Sequence, residues 1–267
     1  MKILAFSDTH LGHPNWKGFG EIVFDRAMRL AKASPMDVVL FCGDLIEPGN
    51  PTVTLEDGLK MLAAIPAKHH LMVAGNNDIE ALNLVNTLDY AGVLASKASA
   101  YGIQVLDEAP VTVGHVSFAG NFGGYDLSLW QPPAQPDSEY PSTYEELVSR
   151  VNAAHAKKVG CSYGELFQTC QMALWRHMQT LSIGNTKIVM ATHTVAMPEF
   201  VLYGKSPQYD YQNAWMGWDD SKAPVSLLRT PGLVHYLCGH THRAAFVDGK
   251  VQKRNISGGD TPYILEV

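Results

Sequence analysis

Charge is what this chain has least of. Asp, Glu, Lys and Arg make up 17% of its 267 residues, against about 25% in an ordinary globular protein. With 46% apolar residues, the balance is the reverse of the one that keeps a chain disordered. There is no basic excess either: 20 Lys and Arg stand against 26 Asp and Glu, a formal charge of −6. Proteins that hold nucleic acid by its backbone carry a basic face or stripe, so nucleic acid is not an expected partner. Cysteine is scarce and unpatterned. Cys42, Cys161, Cys170 and Cys238 form no C-x-x-C pair and no framework spacing, which excludes a disulfide scaffold and fits a reducing compartment. Long apolar runs are missing too. Stretches such as Val38–Cys42 fall far short of the about 20 residues that cross a bilayer. The chain enters a strand-like run at Ile3 without the basic region, long apolar stretch and cleavage site of a secretory signal. A cytoplasmic protein with no membrane contact is expected.

What is present is an alternation of strand and helix patterns. Ile3–Phe6, Val38–Cys42 and Leu71–Ala74 read as buried strands, separated by helical stripes over Glu21–Ala33 and Thr54–Ile65. Thr54 and Asp57 are placed as a capping box. This β-α-β-α-β rhythm predicts parallel strands covered by helices, hence an α/β fold. Ile103–Leu106 and Val111–Ala119 read as strands joined by a turn. The stretch 131–141, with four prolines, reads as an irregular loop. Helices are predicted near 143–158 and 163–182, capped by the pairs Ser142–Glu145 and Ser162–Glu165. Ile188–Ala191 is a further strand, and the tail predicts strands at Leu233–Cys238, Ala244–Val247, Val251–Ile256 and Tyr263–Val267. We expect a single domain over 1–267, with insertions at 121–187 and 197–222 forming a cap near the site.

The abundant residue is histidine, 11 in all, and its placement is ordered. Asp8 and His10, Asp44, Asn76, His193, then His240 and His242 each follow directly on a strand-like run. In open α/β sheets the crevice beyond the carboxyl ends of the strands is where sites are built. Asp-x-His and His-x-His put two side chains on one face of an extended segment. Any one of these residues alone reads as an ordinary turn or surface residue. Their order is the informative property: Asp-x-His, Gly-Asp, Gly-Asn, His, Gly-His-x-His.

That ordered set resembles the calcineurin-like metallophosphoesterases, and the resemblance spans Asp8 to His242. It implies a four-layer αββα sandwich of two mixed sheets flanked by helices, here with an inserted helical and aromatic cap. It also implies two divalent metal ions. Asp8, His10 and His242 would hold the first, Asn76, His193 and His240 the second, and Asp44 would bridge them. Carboxylate and imidazole ligands without thiolates suit Mn²⁺ first, with Fe, Zn²⁺ or Ni²⁺ as alternatives. Such a pair hydrolyses phosphate esters by a hydroxide generated at the metals.

Two departures shape the expectation. The family commonly has His after Gly-Asn, near the leaving group, whereas this chain has Gly75-Asn76-Asn77-Asp78. Glu47 stands where a second acidic residue often follows Gly-Asp. An amide has no proton to give as an imidazolium does, so Asn77 points away from monoesters and towards the small phosphodiesterases that also lack this His. Asn77, Asp78 and His13 are the candidate catalytic residues, His13 as a substitute proton donor. The expected substrate is a small or nucleotide-like phosphate ester. A nuclease of the repair-exonuclease type, suggested by Ser7-Asp8-Thr9-His10-Leu11-Gly12, and a non-catalytic scaffold on the same fold are the alternatives. Phe200, Tyr203, Tyr209, Tyr211, Trp215 and Trp218 form an aromatic segment that could wall the site, pack the core or support a homodimer.

Overall fold

The computed structural model describes residues 1–16, 18–133, 139–159, 161–184, 186–257 and 262–267. Part of the proline-rich stretch expected at 131–141 lies outside them, at 134–138. Eleven strands form two sheets among the described residues. In the first, β1 (Lys2–Phe6), β2 (Met36–Cys42), β3 (Ala67–Val73) and β4 (Ile103–Val105) run parallel. The C-terminal β11 (Tyr263–Glu266) adds antiparallel to β1. In the second, β6 (Val116–Asn121), β7 (Lys187–Thr192), β8 (Leu233–Cys238) and β10 (Gln252–Asn255) are parallel. Antiparallel β5 (Val111–Val113) and β9 (Ala245–Val247) form its edges.

Side-chain alternation sorts these strands into layers. Ile3, Ala5, Val38, Leu40, Leu71 and Val73 of the first sheet meet Val116, Phe118, Val189, Ala191 and Leu237 of the second, forming the core between the sheets. The other parity of the first sheet, Leu4, Phe6, Val39, Phe41 and Met72, packs under α1 (Phe19–Ala33), α2 (Leu55–Ala63) and α4 (Tyr90–Ser99). On the far face of the second sheet, Ile188, Met190 and Tyr236 meet Leu174 and Met178 of α6 (Tyr163–Ser182), together with Phe200 and Trp218. The result is the expected αββα sandwich. Strands buried on both faces explain the unbroken apolar runs of the sequence.

The differences from expectation are local. Gly75-Asn76-Asn77-Asp78 does not simply end a strand: it opens a short helix, α3 (Asn76–Ala81), because the Asp78 carboxylate accepts from Gly75 N at 2.8 Å. The unexpected α4 buries only Tyr90, Leu94 and Ala98, a stripe too thin to stand out from its Ala and Ser background. Val111–Ala119 is not one strand but a hairpin, broken at Gly114 with φ of 60°. Its expected partner Ile103–Val105 lies in the other sheet, so the segment between them crosses the sandwich. The Thr54–Asp57 and Ser162–Glu165 capping boxes form. At α5 (Tyr144–Val159) the cap sits one residue later than Ser142–Glu145: Thr143 Oγ1 accepts from Glu146 N at 3.3 Å. Among the described residues no helix is long and apolar enough to cross a membrane.

One buried carboxylate ties the two sheets together behind the strand ends. Asp107 accepts from Ala74 N (2.9 Å) after β3, from Phe122 N (2.7 Å) after β6, and from the Tyr90 hydroxyl (2.8 Å). Burial raises its pKa from 3.8 to about 6, with these three donors opposing the rise. The folded state therefore holds this proton more tightly than the unfolded chain. The stability it contributes is full below 3.8 and is lost as pH rises through about 6. The loss amounts to something on the order of 3 kcal/mol. Asp107→Asn removes the titration. Urea unfolding at pH 4, 6 and 8 should show the wild type losing stability relative to the variant across this window, and parallel curves would contradict the assignment.

Candidate metal centre

Seven side chains delivered by five strand ends converge at the carboxyl edge shared by the two sheets. Asp8 and His10 follow β1, Asp44 follows β2, Asn76 follows β3, His193 follows β7, and His240 and His242 follow β8. Two groups have ligand atoms within 4.8 Å of one another: Asp8, His10 and His242, and Asp44, His193 and His240. Asp44 lies between them. Its Oδ2 is 3.6 Å from His10 Nε2 of the first group and 3.4 Å from His193 Nε2 of the second. The Asn76 carboxamide joins the second group, its Oδ1 3.2 Å from His193 Nε2.

The backbone is bent to make this possible. Among the described non-glycine residues with positive φ are Asp8 (53°), His10 (42°), Asp44 (57°), His240 (73°) and His242 (51°). Such conformations cost energy for a side chain with a Cβ and collect where a site needs them. Gly43 shows how close the loops come: at φ of 90°, a Cβ there would press onto the His193 ring, 2.5 Å from Nδ1. Alternation alone would have kept His240 and His242 on one face, whereas at positive φ they turn to different groups.

Hydrogen bonds aim the imidazoles. His193 Nδ1 donates to Cys42 O at 2.9 Å, leaving Nε2 turned into the crevice. His240 Nε2 donates to Trp215 O at 2.8 Å, leaving Nδ1 for the site. His10 Nδ1 faces Glu47 Oε2 at 3.2 Å, so Nε2 points inward. The Asp8 carboxylate accepts from the Ser7 hydroxyl and from His240 N at 3.0 Å. Partners of this kind, one step behind the ligand, fix the tautomer and the ring orientation of metal-binding histidines.

The inward-facing atoms are then left confronting each other. His10 Nε2 and His242 Nε2 are 3.0 Å apart, and so are His193 Nε2 and His240 Nδ1. Burial disfavours charge on His193, yet Asp44 overrides it and holds the imidazole near 9. Burial and the neighbouring His193 together drive His240 down to about 4. Burial likewise opposes ionisation of Asp8, but hydrogen bonds from His10 and His242 hold it well below the usual carboxylate range. Two buried carboxylates facing four imidazoles whose ring nitrogens converge form a donor set that fits divalent cations, with nitrogen and oxygen ligands and no thiolate.

A family model for calcineurin-like phosphoesterases matches residues 1–244. The chain belongs to this family. Among solved structures, it is similar in fold to the phosphopantetheinyl hydrolase PptH from Mycobacterium tuberculosis. That match is 18% identical with a TM-score of 0.70, and covers 96% of this chain and 88% of that one. It is also similar to TT1561 of Thermus thermophilus, at 12% identity and a TM-score of 0.50, with 96% and 88% covered. No curated protein matches it significantly in sequence. Membership in the calcineurin-like phosphoesterases and the two residue groups together fit a dinuclear metal site.

The structure also places the three residues expected to act on the substrate. Asn77 lies in the crevice: its Nδ2 donates to Glu47 Oε2 at 3.1 Å and sits 2.9 Å from His10 Nδ1. Asp78 does not. Its carboxylate is fully buried and accepts from Asp44 N (3.0 Å), Leu45 N (2.9 Å) and Gly75 N (2.8 Å). Burial, reinforced by the Asp44 charge, raises its pKa to about 7. Asp78 thus binds the β2 and β3 loops together, its carboxylate engaged by three backbone donors. His13 stands at the rim, 6.2 Å from the His10 ring and stacked on Trp16. Trp218 and Phe200 are buried in the second core, so of the aromatic segment it is Trp215 that borders the site, through its carbonyl. Two further residues stand beside the first group: Glu47, noted in the sequence after Gly-Asp, and Trp16, which no motif announced.

Proposed function

We propose that this chain is a dinuclear metal-dependent phosphodiesterase acting on small or nucleotide-like phosphate esters in the cytoplasm, with Mn²⁺ as its metal. The observation that carries the reading is Asp44 Oδ2 held between His10 and His193, within 3.6 Å of both. One carboxylate shared by two imidazole groups is the arrangement two cations need. Asp8, His10 and His242 would hold one, Asn76, His193 and His240 the other. Bound there, the pair would supply Lewis acidity toward phosphoryl oxygens and a water acidic enough to attack near neutral pH.

The protein's own groups do the rest. Glu47, Cys42 O and Trp215 O keep three imidazoles aimed inward. Asp78 holds the loops carrying Asp44 and Asn76 in register. Asn77, where the family commonly has a proton donor, supports diesters over monoesters, whose leaving groups most need that proton. The buried thiols of Cys42, Cys170 and Cys238 support a reducing compartment. As for a dimer, Phe200 and Trp218 are occupied in the chain's own core, while Tyr209 is exposed and remains for a second copy.

The test is hydrolysis of a phosphomonoester, an aryl phosphodiester, a cyclic nucleotide and a phosphopantetheinyl ester, the last prompted by the PptH fold. The protein is first stripped with chelator, then supplied with Mn²⁺, Fe²⁺, Zn²⁺ or Ni²⁺. Diester hydrolysis should vanish on chelation and return best with Mn²⁺. Absence of hydrolysis with every metal would overturn the reading.

A further inference from the structure

Trp16 is a large ring that the fold does not need. It sits on the loop after β1 with 38% of its surface exposed. None of the hydrophobic clusters among the described residues includes it. Its neighbours are instead the first group of candidate ligands. The Trp16 ring stands edge-to-face with His10 (5.1 Å, 90°) and with His242 (4.8 Å, 64°). It stacks on His13 at 4.3 Å and 23°, and Phe19 at the start of α1 braces it at 6.3 Å. His242 is itself 36% exposed, so this side of the centre is open to solvent. On the other side Phe122 stacks on His193 and Trp215 O accepts from His240 Nε2.

A phosphate ester entering at the open side brings one substituent past His242 and against Trp16 and His13. Two stacked rings present an apolar, electron-rich surface there. Such surfaces take planar π systems independently of their hydrogen-bonding edges. We infer that Trp16, stacked with His13, is the subsite for a planar ring esterified to the phosphate, an aryl group or a nucleobase. Trp16 is thereby a specificity-determining residue of the metal centre. The inference rests on the phosphodiesterase reading and names the substrate class for it.

The experiment compares equilibrium binding of phenylphosphonate, adenosine 5′-monophosphate and ethylphosphonate to the Mn²⁺-loaded protein by calorimetry, with metal content measured on each sample. The readout is the preference for the two planar ligands over ethylphosphonate. Trp16→Ala should reduce that preference about tenfold to a hundredfold. Trp16→Leu, which keeps apolar bulk against His10 and His242 without the π face, should reduce it too while holding its metals. Loss of preference for phenylphosphonate marks an aryl substrate, and loss for the nucleotide marks a nucleobase. Either supports the subsite. A preference unchanged in Trp16→Leu overturns it, because Trp16 would then serve only to pack the histidines. A wild type that binds ethylphosphonate and hydrolyses diesters yet shows no preference for planar ligands overturns the subsite while leaving the enzymatic reading intact. A wild type that binds no phosphonate and hydrolyses no ester overturns both.

Discussion

Asp44→Asn is expected to abolish turnover and most metal binding while leaving the fold in place. The substitution is isosteric, and asparagine tolerates the left-handed backbone that Asp44 adopts at φ of 57°. The oxygen of the new amide can still accept from Asn77 N, as Asp44 Oδ1 does at 2.9 Å. With that oxygen so engaged, the amide NH₂ replaces Oδ2. Donor hydrogens then face His10 and His193 from the place where a shared negative charge stood 3.6 and 3.4 Å away. Charge stabilisation of several kcal/mol is at stake, so the rate should fall by about a thousandfold or more. Elemental analysis should find fewer than two metals per chain. Two retained metals with near-normal turnover would show that Asp44 is not the bridge.

The same variant makes a second, metal-free expectation. Burial works against the His193 imidazolium and Asp44 sustains it near 9. Because that pKa is raised above the ordinary 6.5, the stability it contributes is full below 6.5 and is lost as pH rises through about 9. In metal-free Asp44→Asn this imidazole should titrate lower, which histidine NMR reads directly. The unfolding curves of the stripped wild type and variant should differ most at about pH 6 and draw together above about 9.

Asn77→His is expected to widen the substrate range. An amide at this position has no proton to give the leaving oxygen, so wild-type rates should fall steeply as leaving-group pKa rises. General acid help contributes about 10²–10⁴ in rate, most when the leaving group is strongly basic. The variant should therefore gain on alkyl diesters and monoesters and change little on activated aryl diesters. The partner for the new imidazole is Glu47, whose Oε2 already accepts from Asn77 Nδ2 at 3.1 Å. It is not Asp78, which is spent on three backbone donors. Glu47→Gln in the Asn77→His background should erase much of the gain. His13→Ala must be measured beside it. If Asn77→His changes no slope while His13→Ala abolishes alkyl ester hydrolysis, the acid is His13 and not position 77.

Much of the centre was legible because each candidate ligand sits directly after an apolar run, and parallel strands bring such ends to one edge. Asp8, His10, Asp44, His193, His240 and His242 needed nothing more than that geometry and the order of their motifs. The place of Asp78 was not legible in the sequence for a physical reason. Its neighbour Asn77 faces the crevice, but the α3 turn rotates the next side chain inward, onto the amides of Asp44, Leu45 and Gly75. The aromatic segment was ambiguous because ring content does not say which face is buried. Trp218 is 1% exposed, whereas Trp215 meets the site through its carbonyl, which accepts from His240.

The sequence by itself indicated the parallel α/β strands and the polar residues gathered at their ends, and through its resemblance implied the four-layer sandwich and the candidate ligands. The strands and the site edge follow from unbroken apolar runs and from polar residues at their ends, both local properties of the chain. Only the tertiary structure decided that Asp107 and Asp78 serve as buried ties and that Trp16 lies against His10 and His242. Those depend on loops forced to positive φ and on contacts between segments up to 232 residues apart, such as His10 with His242. Such long-range pairings are specified by the packing of the whole sandwich rather than by any pattern within one segment.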